Sequence, residues 1–248
     1  MATIPSPLDV QTARISPFGR IFGVLFSPKK TYEDIVRKPD WVLPLVLSTV
    51  LSLIAVTVLN QKINWREYIS QKMEANPRAA NLTPEQKASQ AEISAKVTVY
   101  IVYASGLLVP VLFALIVGLV MMGAYNILGG AGASFKQSFS IMAYTGVVGL
   151  VSTPLFLLVL FLKPPGTIDP ENPLVTNLAA FLPPESAKWL LTLGKSLDIF
   201  TFWILILIAI GFATVNPKKL RGAKSFIIAF GVFFAYVVIR VGIAFITS

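Results

Sequence analysis

The stretch that decides the fold runs from residue 97 to residue 135 and reads VTVYIVYASGLLVPVLFALIVGLVMMGAYNILGGAGASF, without one charged side chain. A helix needs roughly 20 apolar residues to cross the hydrocarbon core of a bilayer. These 39 residues exceed that length, and the closely spaced Gly129, Gly130 and Gly132 favour a loop over a continued helix. The stretch therefore predicts a membrane-spanning helix that ends near Asn126.

Three further uncharged runs, and a fourth that holds one arginine, lie on either side of this stretch. The sequence thus predicts an all-α, polytopic membrane protein with five transmembrane helices. We expect an N-terminal segment over residues 1–40 and a transmembrane domain over residues 41–248. The predicted spans are about 42–60, 97–126, 137–162, 199–216 and 225–247, and the two long loops are 61–96 and 163–198.

The composition argues against an enzyme. Hydrophobic residues make up 55% of the chain and charged residues 13%, whereas soluble domains carry about 25% charged residues. Cysteine and histidine are both absent. The chain therefore lacks a thiol nucleophile, the commonest general base and the commonest metal ligands. We expect no catalytic residues, no cofactor and no metal site.

The formal charge of +9 fits a membrane better than a nucleic acid. The lysines and arginines lie beside apolar runs, where anionic lipid headgroups are the nearer partner. The loops on the N-terminal side of the membrane sum to +7, and those on the opposite side sum to +1. Because loops rich in Lys and Arg stay in the cytoplasm, we expect a cell (inner) membrane protein with a cytoplasmic N-terminus and an extracytoplasmic C-terminus.

The N-terminal segment predicts an interfacial amphipathic helix. Its apolar residues recur at spacings of three and four, so they share one helical face, and basic residues flank that face as in helices bound to anionic headgroups. Ser27 and Pro28 mark the start of a second short helix. The segment is either a surface anchor that docks a partner or an elbow that fixes the entry angle of the first span. The residues assigned to the lipid- or partner-facing surface are Phe18, Arg20, Phe22, Phe26, Lys29 and Lys30.

Arg240 is the one charge inside a predicted span. Such a charge costs several kcal/mol unless it is paired, hydrated or able to reach the interface. The fourth and fifth spans are antiparallel, and a helix rises about 1.5 Å per residue. Asp198 at the start of the fourth span therefore lies at a depth in the membrane similar to that of Arg240. We therefore expect an Asp198–Arg240 ion pair, with an arginine that extends to the headgroups as the alternative.

Both long loops contain helix signals. Thr83-Pro84-Glu85-Gln86 combines an N-cap, a proline at the first helical position and a capping-box glutamine, so the second span is expected to begin well outside the membrane. The stretch from Pro184 to Leu197 lacks a breaker except Gly194, which predicts that the fourth span also protrudes.

Small residues recur along the spans at intervals of three or four and indicate close helix packing. Gly106, Pro110, Ala114 and Gly118 form such a stripe on the second span, with the lining of a pore as the alternative. The glycines at 129, 130 and 132 superficially resemble a phosphate-binding loop. However, no strand precedes them and Lys136 has no Ser or Thr after it in the motif's register, so we interpret them as a turn.

Several short segments, in order and spacing, are similar to a bacterial-type member of the Yip1 domain family. Before the first span and in the loop after the second they are Phe26-Ser27-Pro28, Tyr32-Glu33-Asp34-Ile35, Pro39-Asp40-Trp41, Gly129-Gly130 and Ser134-Phe135-Lys136-Gln137; within or beside the later spans they are Ala143-Tyr144, Leu197-Asp198, Phe202-Trp203 and Gly211-Phe212. The resemblance implies five spans and a cytoplasmic N-terminus. For eukaryotic relatives it also implies membrane traffic and small Rab-type GTPases, but this chain lacks their Asp-Leu-Tyr-Gly-Pro motif.

The sequence therefore predicts a non-enzymatic, Yip1-like scaffold or accessory subunit. Its expected partners are the lipid bilayer with its anionic headgroups and other integral membrane proteins, without nucleic acid. The alternative is a small-molecule transporter or channel component. Its path would run between the second, third and fifth spans, with Tyr100, Tyr103, Asn126 and Tyr144 as its polar contacts.

Overall fold

The computed structural model describes residues 15–247 except 75, 77, 78, 80, 165 and 184. In that part of the chain the regular structure is helical, apart from one isolated antiparallel bridge between Asn177 and Asp198. The helices are α1 (Pro17–Phe26), α2 (Pro28–Arg37), α3 (Val42–Lys62), α4 (Trp65–Glu74), α5 (Pro84–Ile127), α6 (Phe135–Thr145), α7 (Gly149–Leu162), α8 (Lys188–Ser196), α9 (Ile199–Val215) and α10 (Lys224–Ile246).

Four helical segments of the described chain are long and apolar enough to cross a membrane: α3, α5, α10 and Phe135–Leu162, which combines α6 and α7. The chain is therefore an all-helical, multi-pass membrane protein. The fourth predicted span corresponds to α9, which is apolar but has only 17 residues. At about 1.5 Å per residue it measures roughly 25 Å, slightly less than the 30 Å of a typical hydrocarbon core.

The second span begins far earlier than its apolar core, as the capping signal predicts. Thr83 accepts a hydrogen bond from the backbone of Gln86, and the Gln86 side chain accepts one from the Thr83 backbone. From this capping box α5 continues for 44 residues, or about 66 Å. Its first turns therefore extend beyond the bilayer, where α4 packs against them.

The third span begins with a second capping box, between Ser134 and Gln137, two residues before the predicted start. It is not one uniform helix, because a 3₁₀ turn at Gly146–Val148 separates α6 from α7. Residues 138–145 of α6 are all buried, so α6 forms the centre of the bundle, with α1, α2, α3, α5 and α9 around it.

The fourth span does not protrude as a continuous helix, so that prediction is wrong; Pro184, where the predicted stretch begins, lies outside the described residues. The stretch instead forms the separate helix α8, and the helical conformation is interrupted at Leu197. The break follows from the role of Asp198, whose Oδ1 accepts the backbone N–H groups of Phe200 and Thr201 and so caps α9.

Gly106 and Gly118 of α5 lie at helix contacts, as predicted. A β-carbon on Gly106 would lie 2.7 Å from a methyl group of Val56, so the glycine allows α5 to approach α3. At the other end of α5, Tyr125 stacks on Phe212 of α9 with ring centroids 4.2 Å apart. Its hydroxyl donates to the Ser225 carbonyl of α10 at 2.6 Å. These contacts join α5, α9 and α10.

Candidate functional site: the docked N-terminal helix pair

The predicted interfacial segment is two helices, α1 and α2, that dock on the bundle; we call them the helix pair. The inward sides of α1 and α2 bury Ile21, Val24, Tyr32 and Ile35. Within the pair, Gly23 allows close approach, because a β-carbon there would collide with the Thr31 hydroxyl. The pair contacts α6 and α9, so it is part of the core rather than a separate surface helix.

Tyr32 fixes α2 to the bundle. Its ring lies against Gly211 of α9, and its hydroxyl is 2.8 Å from Thr145 Oγ1 of α6. Because Thr145 already donates to the Ile141 carbonyl, Tyr32 is the donor in this bond. Burial raises the pKa of the Tyr32 phenol, so it remains a neutral donor at any physiological pH. Gln137 Nε2 adds a second link by donating to the Val36 carbonyl at 3.2 Å.

Arg20 of α1 is the polar centre of the helix pair and only 2% of its side chain is exposed. Its Nη2 lies 2.7 Å from Asp34 Oδ2 of α2, and its Nε donates to the same oxygen at 2.8 Å. Its Nη1 donates to Asp40 Oδ2 and to the Lys38 carbonyl. One guanidinium thus joins α1, α2 and the segment that leads into α3, with the planar donor geometry that only arginine offers.

The network extends into the central helix. Tyr144 of α6 donates its hydroxyl to Asp40 Oδ1 at 2.6 Å. Burial alone would lower the pKa of Arg20, but the hydrogen bond to Asp34 and the charge of Asp40 outweigh it and leave that pKa above its ordinary value. Arg20 therefore stays charged at every accessible pH. Its donor groups are occupied, so the network acts as a clamp rather than as a chemical site.

The assignment of Arg20 to the lipid- or partner-facing surface is therefore wrong. A buried guanidinium is tolerated here because two carboxylates, of Asp34 and Asp40, and two backbone carbonyls, of Asp34 and Lys38, satisfy its charge and its donors. Asp34 and Asp40 were visible in the sequence, at 14 and 20 residues from Arg20. Their presence in one amphipathic segment was the signal for an internal ion pair.

The other five residues of that assignment lie on the outside of the helix pair. Phe18 is 69% exposed, Phe22 59% and Phe26 81%, and their spacing of four places them on one side of α1. Lys29 and Lys30 are exposed at the start of α2. We call these five residues the aromatic ridge. It is a line of unpacked phenyl rings followed by two positive charges.

Asp198 and Arg240 are not brought together, since the ion pairs found among the described residues do not include them. Besides capping α9, Asp198 accepts a hydrogen bond from Thr176 Oγ1. These local donors satisfy the carboxylate, and the expected ion pair is therefore wrong. Arg240 is exposed on α10.

The four polar residues of the alternative transport path do not share a cavity. Tyr100 is 75% exposed on α5, and Tyr103 is exposed on the same helix. Asn126 bonds to the loop that follows it, and Tyr144 is held by Asp40. A cavity of about 320 Å³ does lie between α3, α5 and the α6–α7 segment, lined by Ser48, Ser52, Pro110, Gly146, Gly149 and Ser152 among others.

The described residues also offer little to a metal ion, since their carboxylates form no group of three or more that could hold one. What the site presents is a surface. It consists of a rigidly held helix pair, clamped on its inner side by Arg20 and Tyr32 and exposing apolar rings on its outer side.

Comparison with known proteins gives a consistent result. A family model described as the Yip1 domain matches residues 22–241. The chain is also 24% identical over 215 residues to Membrane protein YknW of Bacillus subtilis (strain 168), a match that covers 86% of this chain and 85% of that protein. No solved structure matches the chain significantly.

Proposed function

The chain belongs to the Yip1 domain family of membrane proteins, and from that premise we propose that it is a non-enzymatic scaffold or accessory subunit. In this proposal it binds other integral membrane proteins through the aromatic ridge and organises them in the bilayer. The family model includes most of the helix pair, because it begins at residue 22.

We propose five crossings, with α9 as the fourth, in a cell (inner) membrane. The 17 residues of α9 contain no charge, and a span slightly shorter than the hydrocarbon core is accommodated by local thinning of the bilayer. Five crossings place the chain ends on opposite sides. The +7 charge of the loops on the N-terminal side supports a cytoplasmic N-terminus and an extracytoplasmic C-terminus.

The observation that carries the proposal is that Phe18, Phe22 and Phe26 are exposed although the helix that bears them is fixed. Helix α1 has its own apolar inner face, with Ile21 and Val24 buried, so the phenyl rings are not needed to dock it. Large aromatic side chains on a rigid element are the usual anchors of protein interfaces, because they bury much area for little loss of conformational entropy.

Lys29 and Lys30 give the ridge a positive charge that attracts negatively charged groups. They favour either anionic headgroups or acidic groups beside the apolar surface of a partner. In this proposal the outer side of α1 faces the membrane interface, where both a lipid surface and the cytoplasmic end of another membrane protein are within reach.

Photocrosslinking from the ridge distinguishes a protein partner from lipid. A photoreactive phenylalanine analogue replaces Phe22 in the full chain, and the cells are illuminated before membranes are solubilised. We expect one discrete protein adduct of defined mass. As a matched control, the analogue replaces Phe181, which is 84% exposed in the loop between α7 and α8.

The same protein adduct from positions 22 and 181 would show that the crosslink reflects proximity in a crowded membrane rather than docking on the ridge. Adducts to phospholipid alone at position 22 would show that the ridge is a membrane anchor, and the scaffold proposal would fail. A second variant, Phe18→Ser with Phe26→Ser, is expected to abolish the protein adduct from position 22, because it removes the flanking rings without touching the clamp.

The alternative, a small-molecule transporter or channel component, draws support from one feature. The cavity between α3, α5 and the α6–α7 segment is bordered by Pro110 and by the 3₁₀ turn at Gly146–Val148. Both interrupt regular helix hydrogen bonding. Ser48 Oγ on its wall is buried without a hydrogen-bond partner, so a polar group in the cavity would satisfy it.

A further inference from the structure

Two short loops meet at the end of the bundle that carries the helix pair. Residues 128–134 join α5 to α6, and residues 216–223 join α9 to α10; together we call them the loop pair. Asn216 Nδ2 donates to the Ala131 carbonyl at 3.4 Å. Leu220 is buried against Gly129, where a β-carbon would lie 2.8 Å from it. The two loops therefore form one surface.

This surface is strongly cationic. Its exposed basic residues lie in the loops or in the first turn of the helix that follows each loop. No aspartate or glutamate occurs in residues 93–168 or 199–248, so neither loop contributes a compensating carboxylate. The acidic residues of α5, Glu85 and Glu92, lie near its other end. The basic residues are Lys136, Lys218, Lys219, Arg221 and Lys224.

Two of these ammonium groups converge on adjacent residues of the glycine turn. Lys224 Nζ donates to the Gly129 carbonyl at 3.4 Å. Lys219 Nζ lies 3.5 Å from the position that a β-carbon on Gly130 would take. The Lys219 side chain lies over Gly130, in the place that a side chain there would take. An anion beside the two ammonium groups would offset the repulsion between these like charges.

The turn is held in place without a ligand. Asn126 clamps it with two hydrogen bonds, from its Nδ2 to the Ala133 carbonyl at 3.0 Å and from the Ala133 N–H to its Oδ1 at 2.7 Å. Gly130 and Gly132 have φ angles of 64° and 69°, which other residues rarely adopt. The cations therefore surround a preorganised backbone, which lowers the entropic cost of binding.

The surroundings of the loop pair identify the source of the anion. Ile127 is 82% exposed, Leu128 63% and Phe135 46%, and all three lie at the membrane ends of α5 and α6. Apolar side chains next to clustered cations match a molecule with acyl chains and a negative headgroup. A free phosphate ion or a nucleic acid would leave these apolar side chains without a contact.

We propose that the loop pair binds the phosphate group of one anionic phospholipid, held between Lys219 and Lys224, with its acyl chains against Ile127 and Leu128. Lys136, Lys218 and Arg221 supply further positive charge around the headgroup. This lipid site goes beyond the scaffold function. None of its residues belongs to the helix pair, so either proposal can fail while the other stands.

Lipid-dependent stabilisation of the purified full chain tests the site. A ligand that binds only the folded state raises its melting temperature in a concentration-dependent way. The protein in mild detergent is titrated with phosphatidylglycerol, with phosphatidylcholine and with inorganic phosphate. We expect a saturable rise with phosphatidylglycerol alone. Lys219→Gln with Lys224→Gln is expected to raise the half-saturating lipid concentration at least tenfold.

The matched control removes two lysines near the opposite end of the bundle, Lys87 in the first turn of α5 and Lys163 at the end of α7. This variant, Lys87→Gln with Lys163→Gln, is expected to leave the titration unchanged. Lys219→Gln alone keeps the Lys224–Gly129 bond, so it reports on the site if the double variant folds poorly, and Lys219→Arg is expected to retain binding. Equal titrations for the double variant and the control would overturn the proposal. An equal response to phosphatidylcholine or to inorganic phosphate would do the same.

Discussion

Replacing Arg20 with methionine should increase the undocked population of the helix pair while leaving the transmembrane bundle folded. Methionine keeps an unbranched side chain of similar reach but removes the charge and every donor. Asp34 and Asp40 then lose the guanidinium, and their side chains are only 19% and 38% exposed. The Lys38 carbonyl also loses its donor.

The expected loss of docking free energy follows from the two carboxylates that remain without the guanidinium. Removing one partner of a buried ion pair costs about 3–5 kcal/mol, because the remaining charge stays poorly solvated. Asp40 is partly exposed and keeps the hydrogen bond from Tyr144, so the lower end of the range, about 3 kcal/mol, is the better expectation. At about 1.4 kcal/mol per factor of ten, the undocked population rises roughly a hundredfold.

Cysteine labelling measures this population directly, because the natural chain contains no cysteine. Val24→Cys places a thiol at a fully buried position of α1, where a maleimide reacts only when the pair undocks. Lys30→Cys gives the rate for an exposed thiol. We expect Arg20→Met to accelerate labelling at position 24 by about a hundredfold and to leave labelling at position 30 unchanged.

Lys29→Met is the matched control, since it removes one positive charge from an exposed position of the same helix pair. An acceleration of less than about threefold with Arg20→Met, or an equal acceleration with Lys29→Met, would show that Arg20 does not hold the pair. The hundredfold faster labelling is expected because Arg20→Met removes a buried ion pair. Lys29→Met removes only a solvated charge, so no such acceleration is expected.

Two further outcomes follow from close packing and from surface charge. Gly129→Ala is expected to lower the melting temperature by several degrees, because its β-carbon would lie 2.5 Å from the Tyr125 carbonyl and overpacking costs about 1–3 kcal/mol. The control Gly123→Ala, with nothing within 4 Å, should leave it equal or higher. The hydrogen bond from Lys72 lowers the pKa of Glu171, so this carboxylate stabilises the fold above its unfolded pKa and loses that contribution as the pH falls through its folded pKa. Thermal melts should show Glu171→Gln less stable than the natural chain at pH 7 by at most about 1 kcal/mol, since Lys72 and Glu171 are both about half exposed. The difference should vanish on acidification, and a difference that grows in acid would contradict this.

The long helices were predictable because their cause is local. A bilayer demands about 20 apolar residues with all backbone groups paired within the segment, and such runs are visible without any knowledge of packing. The start of α5 was predictable as well. Its capping box involves only Thr83 and Gln86, so a four-residue pattern specifies it.

The polar contacts were less predictable because their causes are tertiary. Periodicity alone places Arg20 beside Phe18 and Phe22 on a lipid-facing helix, and only the fold of α2 against α1 brings Asp34 to it. Depth along two antiparallel helices predicts the Asp198–Arg240 pair. Depth takes no account of the donors nearer to Asp198, namely the first N–H groups of α9 and the Thr176 hydroxyl.

Two anchors on the helix pair distinguish its possible roles. An elbow that sets the entry angle of α3 needs a fixed point close to α3, and the Asp40–Tyr144 bond already supplies one. The Tyr32–Thr145 bond and the buried Val24 and Ile35 add nothing to that angle. They do hold the outer side of α1 in one orientation, which reduces the ordering cost for anything that binds there. The additional anchoring supports the partner-docking surface that we propose over an elbow.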